Sequence, residues 1–415
     1  MVWFLVGYMW LFLHRPFEFW TILGTLRIER VYMIFILIVW FTVSKKEWTE
    51  NRVNFGLCAL AFAIFFSTLM SPYLGLLDNE TTQNWFKMFL FYLLFMTSVK
   101  TEKDLKILTT AFTVCFFIYM LHSYREYLNG RGAFEMGTWR MIGVDVTMGH
   151  PNTFGNSIVY AATMLLPLTA LLKKRWQWLF AIGYCLLSLR CIQLTGSRGS
   201  MMGLCVFLVG TAVISKHRLK IIPLLFVAAP LLWFSLPENL QQRYLTLFGL
   251  AERQLGDAGI EGRMNGFWMG LVNFQSSPIW GIGLECHRYG AGQGFSAHQL
   301  YGQLLGETGL IGVIAFLMLL SAVFINHWEA MQAYQTLNRI GKGKDAVYCY
   351  RVSSATIAGY MMLLFFGLAA HNLPRYTWVW YAGFQGIALA ILKDKVTKVR
   401  HARMNGDDPG KLDLS

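Results

Sequence analysis

His298 is the side chain best placed for acid–base chemistry in this 415-residue sequence. It stands in "FSAHQLYGQLLGETGLIG" (295–312), where a glycine- and aromatic-rich stretch gives way to an apolar run. Ser296 is positioned to cap the helix that this run predicts, which places His298 in its first turn. Backbone N–H groups and the helix dipole there favour anions and a neutral imidazole. A neutral imidazole can take a proton from a hydroxyl nucleophile near neutral pH. A histidine at a helix start also has a plain structural use, as a cap or packing group. Glu307, Gly309 and Gly312 follow on the same helix, where close helix packing is the ordinary reading.

Fixed cations would complete such a site. Arg198 lies in "TGSRGSMMGL" (195–204), Arg263 in "GRMNGFWMGL" (262–271), Arg140 in "TWRMIGVD" (138–145) and Arg288 in "SPIWGIGLECHRYG" (277–290). A guanidinium grips phosphate through paired donors and keeps its charge when partly desolvated. Breaking a bond to a diphosphate develops negative charge that such groups stabilise. Arg198 and Arg263 are placed on the diphosphate, with Arg140 and Arg288 ranked below them. Arg243 and Arg253 carry no motif and are expected to tolerate lysine. His150 and Asn152, in "MGHPNTFGN" (148–156), stand at a helix start, where capping competes with sugar binding. Trp139, Trp268, Trp280 and Tyr289 offer rings for sugar stacking, or form an interfacial belt. His371 and Arg375, in "HNLPRYTW" (371–378), mark a further turn that could line the same cavity.

The elements that hold these residues are membrane helices. Hydrophobic residues make up 55% of the chain and charged ones 14%, against about 25% charged in a soluble protein. Fifteen Trp, 18 Tyr and 32 Phe exceed what water-soluble cores of this size hide. Soluble cytoplasmic enzyme classes are excluded. The net charge of +13 is read against membrane lipids, with no nucleic-acid partner. The seven cysteines contain no CxxC pair, and the first apolar run opens without the basic region of a signal peptide. A span needs about 20 apolar residues. Such runs fall near 2–13, 28–43, 54–70, 84–98, 106–122, 152–172, 176–194, 199–215, 219–235, 299–325, 352–371 and 374–393. The expected fold is therefore an all-α polytopic membrane protein of about twelve spans. Residues 1–393 form a single integral-membrane domain, and 394–415 a flexible cytoplasmic tail.

With the N-terminus in the cytoplasm, each inner connection is basic. Lysine outnumbers arginine there by 15 to 7, whereas all twelve basic residues of the outer connections are arginine. An outer face rich in arginine points to a polyanionic ligand; lipid headgroups or ion pairs with Glu18, Glu29 and Glu126 are the plainer reading. The longest outer connection, 237–297, exceeds a plain turn. Its stretches 243–255 and 263–274 read as amphipathic helices lying at the interface.

Together, 195–204, 262–271 with 277–290, and 296–312 resemble the O-antigen ligase and polymerase superfamily of bacterial envelope glycan enzymes. The family's histidine is often followed by Asn, where this chain has Gln299. The resemblance covers about residues 180–325. It implies a metal-independent membrane glycosyltransferase of the C-type class, with no cofactor, in the bacterial inner membrane. The donor it implies is a glycan on undecaprenyl diphosphate, and the site faces the periplasm. His298 would act as base, and displacement is assumed to invert the sugar. The acceptor would be lipid A core in a ligase, another carrier-linked glycan in a polymerase, or a protein in an O-oligosaccharyltransferase. A lipid-linked glycan flippase is the competing reading from another class. Such transporters carry mid-span charges and internal repeats, whereas these runs hold few charges and show no repeat.

Overall fold

The computed structural model describes residues 1–42, 46–76, 78–135, 137–214, 230, 233–246, 250 and 259–405. In chain order the N-terminal helices are α1 (Val2–His14), α2 (Thr21–Thr25), α3 (Ile28–Thr42), α4 (Arg52–Leu69), α5 (Glu80–Ser98) and α6 (Glu102–Leu128). A hairpin of β1 (Ala133–Glu135) and β2 (Thr138–Arg140) follows, pairing Ala133 with Arg140. Then come α7 (Pro151–Ala162), α8 (Leu165–Leu168), α9 (Arg175–Thr195), α10 (Arg198–Ile214), α11 (Glu238–Leu245) and α12 (Gly259–Ser276). The chain closes with α13 (Leu300–Arg339), α14 (Gly343–Gly367) and α15 (Tyr376–Met404).

Short polar residues set the helix starts. Asn51, Asn79 and Thr101 accept hydrogen bonds from the first-turn amides of α4, α5 and α6. α9 stops at Gly196, whose φ of 57° is the left-handed end that glycine supplies.

Five of the twelve expected spans are long and apolar enough to cross a membrane among the described residues: α4, α6, α9, α13 and α14. Val2–His14 and Arg198–Val213 are apolar but shorter. The expected span 219–235 lies almost wholly outside the described residues. Outer faces stay apolar, as along α9, where Trp176, Leu179, Ile182 and Leu186 are exposed at helical spacing. In water such a stripe would drive association; in lipid it is the stable surface.

Three expectations need correction. The span near 152–172 is broken between α7 and α8, because Pro167 has no N–H and its ring collides with the carbonyl one turn earlier. The flexible tail does not start at 394: α15 continues to Met404. There the buried Lys395 pairs with Glu102 and donates to the Asp345 carbonyl at 2.6 Å, which docks the polar turns. The third concerns His298. α13 begins at Leu300, its N-cap is the extended Gln299 without a side-chain bond, and Ser296 does not cap it. His298 precedes the helix in left-handed conformation, φ 51°.

α13 is the central post, packed by α4, α12, α14 and α15. Gly56 lets α4 lie directly on it: a Cβ there would meet the Leu319 Cα at 2.7 Å. Around it Phe316 and Tyr360 each meet Trp378 edge to face, with ring centroids 5.0 and 5.1 Å apart.

Candidate active site

The site is built where α12 lies on the start of α13. Glycines recur every fourth residue on both facing surfaces: Gly266 and Gly270 on α12, Gly302 and Gly306 on α13. A Cβ on Gly270 would stand 2.4 Å from the Gly302 carbonyl oxygen, and one on Gly306 2.8 Å from that of Gly270. Helices that touch backbone to backbone need this spacing of small residues. Gly266 continues the seam past the helix end, where a Cβ would meet the Ala297 carbonyl oxygen at 2.0 Å. The chain before Leu300 is thus laid across α12 instead of winding into α13, which is why His298 misses the first turn. The expected interfacial helix 263–274 is accordingly packed along one face, while Met264, Trp268 and Val272 stay exposed on the other.

A second device fixes the loop that follows α12. Gly309, φ 61° and ψ −164°, interrupts α13. The amides that lose helical partners are taken by the loop: Leu310 donates to Pro278 at 2.8 Å and Ile311 to Ile279 at 3.3 Å. In return Ile282 donates to Gly306 and Gly283 to Glu307, both at 3.0 Å. Every broken rung is replaced, as a buried backbone requires. The buried Glu307 carboxylate then accepts from the amides of Glu285 (2.8 Å) and His287 (3.2 Å) and from the Gln303 amide (3.0 Å). Glu307 is therefore the loop's anchor, beyond the helix packing expected of it.

These devices bring His298 beside His371, rings edge to face with centroids 5.8 Å apart. Burial, then the nearby Arg263, pulls the His298 imidazole below its usual range, which favours its neutral form. Arg263 lines a cavity of about 480 Å³ with Phe267, Gln299, Tyr301, Phe365 and Phe366. Neither Arg198 nor His298 belongs to that lining, but their neighbours Gly199 and Gln299 do. His371 lines a second cavity of about 220 Å³, more polar than the first, with Glu285 and Arg375.

Arg140 is committed to the scaffold. It is buried and donates at 2.7 Å each to the Thr195 carbonyl, Glu135 and Asn152. Burial lowers its pKa to about 10. From the other side the Arg243 Nε donates to the Gly196 carbonyl at 2.8 Å, and the Arg198 guanidinium reaches Thr246 at 2.6 Å. The turn that launches Arg198 is thus clamped between hairpin and α11. His150 is the N-cap of α7, accepting from the Asn152 amide at 3.2 Å. Arg288 lies over Tyr289, which stacks on Tyr73. Trp268 and Tyr289 line neither cavity.

Residues 183–317 match the family O-antigen ligase. The match covers about a third of the chain and supports a place in the O-antigen ligase and polymerase superfamily. No curated protein matches the chain. Family and apolar helices together make it a multi-pass membrane protein. Members of the family are membrane glycosyltransferase-like enzymes whose partners are a lipid-linked glycan and a glycan acceptor. Arg198, Arg263, Arg288, Tyr289 and His298 fall inside the O-antigen ligase match; Arg140, His150, His371 and Arg375 fall outside it.

Two site residues escaped the sequence. Glu285 and His287 lie inside the 277–290 segment, which singles out Arg288 alone as a charged candidate; only their spacing of two, matched to the two oxygens of Glu307, marks them. His287 and His371 are pushed down to about 4 and about 3, burial being the main cause and His298 next. Both stay unprotonated in the folded protein near neutral pH, while an unfolded histidine takes up a proton near 6.5. The unfolded state therefore binds more protons below that pH, and stability falls with acid. The melting temperature is expected to drop as pH is lowered from about 6.5 towards 4, and His371→Gln to flatten that slope. An unchanged slope in the variant refutes the assignment.

Proposed function

We propose that the chain is an O-antigen ligase-like glycosyltransferase. It moves a glycan from undecaprenyl diphosphate to an acceptor hydroxyl, of lipid A core or a similar glycan, on the periplasmic face. The observation that carries this reading is an imidazole, that of His298, held against His371 and near Arg263, an arginine that lines a largely apolar cavity. The apolar walls suit a polyprenyl chain and Arg263 its diphosphate. In the proposed step the acceptor oxygen attacks the anomeric carbon as its proton passes to His298. The bond to the diphosphate breaks, the electron pair leaves with the diphosphate, and the sugar inverts. Arg263 and Arg198 stabilise the departing charge. The test is purified enzyme with undecaprenyl-diphosphate-linked glycan and, in separate reactions, lipid A core, a second carrier-linked glycan or a protein acceptor. Release of carrier diphosphate with glycan transfer supports the reading, and the productive acceptor separates ligase from polymerase or protein glycosylation. An intact donor that only changes leaflet establishes a flippase instead.

Arg263→Lys and Arg198→Lys are each expected to lose most transfer activity, since charge remains but paired donation is lost. Arg243 is no control after all, because it clamps Gly196, and Arg253 lies outside the described residues. The exposed Arg30 on α3 replaces them. Near-normal turnover in both lysine variants would remove the clamp from the mechanism.

Sidedness has its own expected result. A membrane-impermeant thiol reagent should label Phe295→Cys from the periplasmic side, above the background of the native cysteines. Phe295 is exposed, whereas Gly292 packs on His287 and Gly256 lies outside the described residues. Labelling only after the inner membrane is opened would place the site on the other face.

A further inference from the structure

We propose that the 220 Å³ cavity beside His371 is a subsite for an acidic residue of the acceptor glycan, whose carboxylate or phosphate Arg375 holds. The inference rests on the glycosyl-transfer reading and adds the acceptor's chemical class. Arg15, Thr81, Asn84, Thr147, Glu285 and Arg375 give the cavity its polar lining. They come from five separate stretches of chain, and of these only Glu285 lies within the O-antigen ligase match. The cavity is smaller than the roughly 300–1,000 Å³ of pockets for drug-sized ligands, so it takes one sugar residue.

Charge decides which residue. Arg15 is paired with Glu18, and Asp145 stands 4.0 Å away. The Arg375 guanidinium makes no hydrogen bond or ion pair among the described residues. Burial pushes the Glu285 carboxyl up, which weakens it as a counter-ion. A half-buried cation with no hydrogen-bonded counter-ion is costly, and an incoming anion reduces that cost. Thr81, Thr147 and the Asn84 amide offer donors and acceptors for sugar hydroxyls. His371 joins this subsite to the base: it lines the cavity, its ring meets that of His298, and its buried Nδ1 has no partner among the described residues.

Saturation-transfer NMR on the purified full-length protein tests this with methyl glucuronide, glucose 6-phosphate and methyl glucoside. The two acidic sugars are expected to bind at least about tenfold more tightly than the neutral one, equivalent to about 1.4 kcal/mol. Arg375→Gln should abolish the preference and Arg375→Lys retain it. Arg375 caps α15 through its backbone only, so both variants keep the turn. Equal binding of all three sugars, no binding of any, or a preference that survives in Arg375→Gln overturns the subsite. The donor reading is measured separately, as thermal stabilisation by undecaprenyl diphosphate. It should persist in Arg375→Gln and vanish in Arg263→Gln. Acid-sugar preference without any such stabilisation supports the subsite and sinks the donor assignment alone.

Discussion

Replacing His298 by asparagine or glutamine should slow transfer by about 10²–10⁴-fold, the usual worth of general-base assistance. Neither side chain accepts the acceptor's proton. Asparagine also tolerates the left-handed backbone that His298 adopts, so His298→Asn should melt at or above the wild-type temperature. Donor binding, carried by arginine, should be unchanged. The measurement is paired: transfer rate and melting temperature on the same preparations. An active asparagine variant would strip His298 of its role in proton transfer. A stable, donor-binding, inactive one leaves it as the base.

The second large effect is expected from a single methyl group. Gly270→Ala adds a Cβ only 2.4 Å from the Gly302 carbonyl oxygen, a backbone atom that cannot rotate away. In an isolated helix the change would help, by about 1 kcal/mol. Here it must push α12 off α13 and carry Arg263 away from His298. A displacement of about 1 Å at a reacting centre costs about 10²-fold in rate, and that is the expected loss. Gly183→Ala and Gly210→Ala, with nothing within 4 Å of the added atom, should leave transfer intact. If Gly270→Ala transfers like those controls, the seam does not position the site.

The helices were legible because lipid demands long apolar runs, and α4, α6, α9, α13 and α14 answer that demand in composition alone. The order of the arginine and histidine motifs was legible too, and residues 183–317 carry the family match. What escaped depends on contacts between distant segments. The left-handed His298 results from Ala297 lying on Gly266, a pairing that no local pattern encodes. Gly302 and Gly306 show their fourfold spacing in the sequence, but their meaning appears only once Gly266 and Gly270 face them. Arg140 reads as a free cation because its partners Thr195 and Glu135 are supplied by another helix end and by the folded hairpin. The polar turns after 394 look mobile until Glu102 and Asp345 are seen to hold Lys395.

The exchange of hydrogen bonds around Gly309 has a polymer consequence. Residues 278–283 and 306–311 are tied to each other by four backbone bonds, so the chain between them is a closed ring with fixed ends. Lengthening a closed ring is cheap, about 0.6 kcal/mol for each doubling. The exposed residues 293–295, on the rim of this ring, can therefore change in number or composition without disturbing either the membrane helix or the anchor at Glu307. The architecture separates a part that must not vary from a part that is free to, and the free part lies next to the base.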